Sequence, residues 1–352
     1  MLAALSAASL AAPRAAAAQT PPPVPDPAAL EEVLRRAAAL PRLHALIIAR
    51  NGVPLAERAF RGPPLDRPVN IKSASKTVLS ALVGAAIARG VLDGPDQRIA
   101  PILGRLLPAG LDPRVAEITV GHLLSMRAGL ERTSGANYGA FAGSRDWVRF
   151  ILTRPFVDEP GGGMQYSTGS THLLSAVLTR ASGRSTLELA RAWLGEPLGI
   201  SIPPWTRDPQ GIFFGGNDML LSPRALLRFG EMYRAGGVFG GARVLPAEWV
   251  RQSWTPRARS PWSRQVYGYG WWIAEAGGLP VFFAWGYGGQ MLYLVPELAL
   301  CVVMTSDPAG PRAPEHTAAL HALLSETILP TLGAGNGARG TLLDNGRVAV
   351  PD

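Results

Sequence analysis

Strand signals in this chain sit towards its two ends, and that separation constrains the fold more than any other feature. Leu43–Arg50 and Val53–Phe60 flank Asn51-Gly52, the strongest short-range signal for a two-residue hairpin. After Tyr267 four more strand-like runs follow: Tyr269–Ala274, Val281–Trp285, Gln290–Val295 and Ala299–Thr305, with Pro296-Glu297 turning between the last two. From about residue 100 to 260 the pattern is helices and loops. A sheet built from both ends must therefore close around a helical insertion. The expected fold is α+β, an antiparallel sheet flanked by N- and C-terminal helices. The sheet subdomain is expected to comprise 26–99 and 262–330, the mainly helical subdomain 100–261, and a loose Gly-rich tail 331–352.

Helix signals fit this plan. Leu30, Val33, Leu34 and Ala38 recur at helical spacing over 26–40, and 315–329 reads as a closing helix. A long helix is expected from about Ser73 to Arg89, with Val78, Leu79, Leu82, Val83 and Ile87 as its buried stripe and Gly90 ending it. Thr119 can cap a helix running through Met126, which Gly129 closes off. Ser185-Thr186-Leu187-Glu188 has capping-box spacing, and Ser222-Pro223 opens a helix that Gly236-Gly237 ends.

Composition excludes several roles. With 47% hydrophobic and 17% charged residues, the chain is an ordinary folded protein. The net charge of +8 comes from arginines scattered singly, with no basic run interleaved with aromatics, so no nucleic-acid partner is expected. No apolar run is long enough to span a bilayer. The single cysteine, Cys301, lies in an apolar strand and reads as a buried thiol. The five histidines show no metal-ligand spacing, so neither a metal nor a cofactor is expected. Residues 1–18 read as the hydrophobic region of a secretory signal cut after Ala18, though without a charged leader; the alternative is an Ala-rich tail. Export to the periplasm or outside the cell is the favoured expectation. Residues 19–25 then form a Pro-rich linker.

Three stretches can carry chemistry. Of the 34 Lys and Arg residues only Lys72 and Lys76 are lysines. Arginine keeps its proton in a protein and lysine can lose it, so a Lys near a Ser invites the role of general base. Ser73 and Lys76 share a helix face if Ser73 lies in the first turn. Free amides at that helix start suit a developing oxyanion. A free lysine is neutral in roughly one molecule in 2,500 at pH 7, so its pKa must come down by about 3, worth roughly 4 kcal/mol. Desolvation can supply this. By itself the spacing is weak evidence, since a helix cap followed by an exposed lysine looks the same. The second stretch is Pro160-Gly161-Gly162-Gly163-Met164-Gln165-Tyr166-Ser167-Thr168, a polar loop that delivers a tyrosine to a helix start. A phenol there can relay a proton if a lysine ammonium lowers its pKa; otherwise it packs. The third is Ala284-Trp285-Gly286-Tyr287-Gly288-Gly289-Gln290, where glycine in a strand marks either a close backbone approach or a bulge. An exposed amide there can serve as a second oxyanion donor. No Gly-x-Ser-x-Gly elbow exists, which argues against an α/β-hydrolase.

Together, in this order and spacing, the three stretches resemble the serine β-lactamase and penicillin-binding-protein superfamily. Ser73-Ala74-Ser75-Lys76 matches its Ser-x-x-Lys, Tyr166-Ser167-Thr168 its Tyr-x-Asn, and Ala284-Trp285-Gly286 falls where it has Lys-Thr-Gly or His-x-Gly. Ile118–Met126, Gly215–Pro223 and Tyr267–Trp272 resemble supporting stretches, so the likeness spans roughly 40–330. The chain is most similar to the class C-like branch that holds carboxylesterases and 6-aminohexanoate-dimer hydrolases. Thr168 puts a hydroxyl where others have Asn, and Ala284 removes the cation that helps hold a substrate carboxylate.

The resemblance implies a serine hydrolase of a small amide or ester. Ser73 attacks, neutral Lys76 takes its proton, Tyr166 passes a proton to the leaving group, and the amides of Ser73 and Tyr287 hold the oxyanion. Thr168, Trp285, Gly286, Gly288 and Gln290 are expected to bind substrate or support the site, with Trp285 and Tyr287 as an aromatic wall. A β-lactamase or D,D-peptidase, and a non-catalytic ligand sensor on the same fold, are the alternatives. Substrate identity and oligomeric state are not legible.

Overall fold

The computed structural model describes residues 25–309 and 313–333. The expected secretory segment, the linker apart from Pro25, and the tail from residue 334 lie outside the described residues.

Helix α1 (Pro27–Ala38) starts where Asp26 accepts a hydrogen bond from the Ala28 amide, and it buries Val33, Leu34 and Ala37. Strands β1 (Leu43–Arg50) and β2 (Val53–Ala59) follow. Between them Asn51 and Gly52 take φ of 51° and 76°, the two left-handed residues a type I′ turn requires. The central helix α2 (Ser75–Ala88) is buried from Ser75 to Ala86. A single turn of 3-10 helix, Lys72–Ala74, precedes it, so Ser73 lies just ahead of the α-helix rather than within it.

Three more helices define the site's surroundings: α3 (Val120–Leu124), α4 (Thr168–Ser182) and α5 (Pro223–Arg234). Thr119 caps α3, and the ring of His122 completes the capping box by accepting from the Thr119 amide. Met126, at φ 61°, turns the chain out of this helix before Gly129 is reached. The capping box at Ser185 and the Ser222-Pro223 start form as their sequences require.

The sheet closes from both ends of the chain. To β1 and β2 it adds β3 (Ala258–Arg259), β4 (Val266–Tyr267), β5 (Trp272–Ala276), β6 (Leu279–Gly286), β7 (Gln290–Val295) and β8 (Leu300–Ser306). The order is β2-β1-β8-β7-β6-β5-β4-β3, antiparallel throughout. Strand β3 lies before residue 262, where the sequence places the sheet's second half. Strand β5 begins at Trp272 rather than Tyr269, because Gly270 takes φ 78° and its backbone crosses α2. A Cβ on Gly270 would lie 2.8 Å from the Ser80 side chain and 3.0 Å from the Lys76 carbonyl.

Both faces of the sheet are covered, which explains the near-continuous apolar runs in β1 and β8. Ala45, Ile47, Cys301 and Val303 face a core cluster shared with α2, α4 and α5. Leu46, Ile48, Val302 and Met304 face a second cluster, shared with α1 and the C-terminal helix α6 (Pro314–Ala322). Burial pushes the Cys301 thiol well up, so it packs as an apolar group. Among the described residues, no helix is long and apolar enough to cross a membrane.

Candidate active site

The segment Asn70–Lys76 is folded by its own short polar side chains. Asn70 Oδ1 accepts from the Lys72 amide at 2.8 Å, and Ser75 Oγ donates to the Lys72 carbonyl at 2.6 Å. Lys72 is held at φ 50°, a left-handed position unusual for a residue with a Cβ. The first amide bonded within this turn is that of Ala74, to the Ile71 carbonyl at 3.1 Å. The Ser73 amide therefore stands ahead of the ladder, among the unpaired donors of a helix start.

One turn on, Lys76 is buried, and its ammonium nitrogen meets three oxygens. Nζ lies 3.0 Å from Ser73 Oγ, 3.2 Å from Thr168 Oγ1 and 2.7 Å from the Gly216 carbonyl. Among the described residues no carboxylate pairs with it. Desolvation pulls its pKa down to about 7, against a weaker upward pull from Asp218. Lys72, by contrast, points to the rim and pairs with Asp218 at 3.4 Å. Asn70 and Thr206 also bond that carboxylate, at 2.8 and 3.2 Å.

Tyr166 arrives from the glycine-rich loop. The Met126 carbonyl accepts from the Gln165 amide at 2.8 Å, which fixes the chain one residue before the phenol. The ring is buried, stacks on Trp272 at 5.6 Å and meets Tyr267 edge-on at 6.1 Å. Lys76 Nζ lies 5.1 Å from its centroid, and its hydroxyl is near enough to Ser73 for that side chain to pull the phenol's pKa down. Burial raises the phenol's pKa well above the ordinary value, and Ser73 offsets only part of this. The expectation that a lysine ammonium lowers it is therefore corrected: Tyr166 keeps its proton.

Thr168, at the start of α4, joins a set of hydroxyls the sequence did not single out. Its Oγ1 lies 3.0 Å from Ser134 Oγ, and its amide donates to the same oxygen at 2.9 Å. Ser167 Oγ accepts from the Thr133 amide at 3.0 Å. Gly216 is placed by a buried pair between α4 and a later loop: His172 Nε2 meets Asp208 Oδ2 at 3.0 Å, and the His172 Nδ1 accepts from the Gly215 amide at 3.5 Å. Nothing in Thr133, Ser134 or Gly216 marks them locally, since their roles come from loops meeting across the fold.

The third stretch is the end of β6 and its turn into β7. A Cβ on Gly286 would lie 2.2 Å from the Ile71 carbonyl, so the strand passes directly against the residue that opens the Ser73 turn. Tyr287, half-buried, follows immediately. One expectation needs correction. Strand alternation puts Trp285 with Val281 and Phe283, where its ring lies 5.9 Å from both Trp272 and His321. The rings against Tyr166 are those of Trp272 and Tyr267, which sequence reasoning missed. Gln290 is spent on scaffold: its amide donates to the Ser306 carbonyl at 2.7 Å and accepts from the Ser306 amide at 3.3 Å. Gly288, at φ 79°, packs its backbone on Pro308 and shapes the turn. Ala284 is buried on the α2 side and offers no cation.

A family model described as Beta-lactamase matches residues 42–326, most of the chain. The chain belongs to the beta-lactamase family. It is a serine hydrolase of that family. It is 26% identical over 297 residues to a 6-aminohexanoate-dimer hydrolase of Paenarthrobacter ureafaciens, covering 76% of this chain and 73% of that protein. Among solved structures, EstCE1, described as a hydrolase with promiscuous acyltransferase activity, superposes with a TM-score of 0.69 at 18% identity, covering 87% of this chain and 98% of that one. A penicillin-binding-protein homolog from Caulobacter crescentus gives 0.66 at 18%, covering 84% and 97%. These likenesses establish the β-lactamase-like fold.

Proposed function

We propose that this hydrolase cleaves a small amide or ester through an acyl-enzyme on Ser73. The observation that carries the reading is the buried Lys76 amine, 3.0 Å from Ser73 Oγ, with its pKa drawn down to about 7. A neutral amine has two N–H donors and one lone pair. The Gly216 carbonyl can only accept, so it takes one N–H. The second serves Thr168 Oγ1, whose own proton can go to Ser134. The lone pair is then left to the Ser73 hydroxyl.

Ser73 Oγ attacks the substrate carbonyl carbon as its proton passes to Lys76. The amides of Ser73 and Tyr287 hold the charge gathering on the carbonyl oxygen. Collapse breaks the C–N or C–O bond, and the departing atom takes the Tyr166 proton. The Lys76 ammonium returns a proton to the Tyr166 oxygen, and water then cleaves the ester on Ser73, releasing the acid and the free hydroxyl. A phenol with a raised pKa suits this part, because it acts only as a donor passing on a proton it regains. With no cation at Ala284, the family's carboxylate clamp is absent from β6.

The test is labelling with a fluorophosphonate followed by mass spectrometry, alongside turnover of 4-nitrophenyl butyrate, linear amides and nitrocefin. An adduct on Ser73 that disappears in Lys76→Ala, with ester or amide turnover above nitrocefin turnover, is expected. A folded protein that neither labels nor turns over any of them would overturn the reading.

A further inference from the structure

Arg132 stands beside the hydroxyl cluster, two residues before Ser134. Its guanidinium lies over the ring of Trp262, 4.4 Å from the centroid. Among the described residues that side chain makes no hydrogen bond and no ion pair. The neighbouring acid, Glu131, is held by Arg154 at 3.2 Å. The other rim cation, Lys72, is held by Asp218. Arg132 is thus a cation near this site for which no carboxylate partner stands among the described residues.

Its position follows from the bonds on either side. Ser134 Oγ lies 3.0 Å from Thr168 Oγ1, which lies 3.2 Å from Lys76 Nζ, itself 3.0 Å from Ser73 Oγ. Trp262 packs against the cluster that holds Tyr166, Tyr267 and Trp272. The Arg132–Trp262 pair therefore joins the loop at 130–134 to the loop at 260–265. With consecutive Cα atoms about 3.8 Å apart, the Arg132 backbone lies within about 8 Å of that of Ser134, whose hydroxyl is two hydrogen bonds from Lys76.

Stacking occupies the face of a guanidinium and leaves its in-plane N–H groups free. Those N–H groups form a fork that matches a planar carboxylate at two points. Resting on the proposed acyl-transfer reading of the site, we propose that Arg132 and Trp262 form a substrate subsite for a carboxylate. The ligand class is an amide or ester carrying an anionic carboxyl group several bonds from the scissile carbonyl. This subsite lies on the loop side of the site, away from the strand position where Ala284 stands. It refines the expectation that the loss of the cation at 284 disfavours acidic substrates: the cation is supplied from elsewhere.

The experiment reads binding separately from turnover. In Ser73→Ala protein, calorimetry compares mono-4-nitrophenyl adipate with its uncharged methyl ester. The acid is expected to bind at least tenfold more tightly, about 1.4 kcal/mol. That margin should shrink as sodium chloride rises. In Ser73→Ala/Arg132→Gln the two Kd values should converge. In Ser73→Ala/Arg132→Lys part of the preference should remain, since the charge stays and the fork is lost. Equal Kd values in the Ser73→Ala protein, or a preference that survives Arg132→Gln, would overturn the subsite. Neither result depends on whether wild-type protein hydrolyses esters, so failure of the acyl-transfer reading would show separately in turnover of the uncharged ester.

Discussion

The floor and the rim of this site hold the chain's two lysines, four residues apart, in opposite surroundings. At the rim Lys72 is a quarter exposed and pairs with Asp218. On the floor Lys76 is buried among two hydroxyls and a carbonyl. The difference shows what lowers a lysine's pKa: removal from water without an acid paired to it. Moving the pKa from 10.5 to about 7 corresponds to roughly 5 kcal/mol against the charged form. The fold supplies this through the closely packed walls around α2 and keeps Asp218 occupied with Asn70, Thr206 and Lys72.

The largest effect that can break this contrast is at the floor. Lys76→Arg keeps a cation that cannot act as base, and kcat for 4-nitrophenyl butyrate should fall by about 10³-fold or more. Near-normal turnover would remove Lys76 from the mechanism. The pH profile sharpens the point. Below about pH 7 the Lys76 amine is protonated in the folded enzyme, so kcat/KM should fall tenfold per pH unit there and level off above. Asp218 pulls that pKa up, so Asp218→Asn should move the acid limb to lower pH. A limb that stays in place would show that the rim carboxylate does not act on the floor.

Tyr166→Phe should lower kcat by about 10²-fold with little change in KM, because only the proton donor is lost. An unchanged kcat would leave the ring as packing on Trp272. Gly286→Ala tests how the strand meets the nucleophile's turn. Its methyl would press on the Ile71 carbonyl, and a displacement near 1 Å at Ser73 costs up to about 10²-fold. Turnover equal to wild type would mean the strand end does not set the position of Ser73.

Much of this was legible because its physics is local. Asn51-Gly52 specifies its turn, Ser185 and Glu188 their capping box, and the spacing of Ser73 and Lys76 their shared face. Thr133 and Ser134 were not legible, and Gly216, though inside the stretch 215–223 that resembles the family, had no contact assigned to it. They reach the site from loops without periodicity, and Gly216 acts through a carbonyl every residue has. Trp285 is a different case. Period-2 alternation from Val281 and Phe283 assigns its face, and reading the motif as a unit obscured that. The placement of Tyr166 near Lys76 was legible but the direction of its pKa shift was not, because that direction depends on Trp272 and Tyr267 burying it.

The smallest effect belongs to the rim, and its smallness is the informative part. Lys72→Ala removes a partly exposed ion pair, worth at most about 1 kcal/mol. It does not relieve the left-handed backbone at that position, because alanine keeps the Cβ. Lys72→Gly removes both the pair and the strain, so it should be the more stable variant of the two in thermal unfolding. Both should change turnover far less than any substitution of Lys76, because Asn70 and Ser75 continue to hold the turn through the backbone of residue 72. If Lys72→Ala instead lowered kcat by as much as Lys76→Arg, the contrast between rim and floor would collapse, and the ammonium at the rim would have to act directly on the reacting atoms.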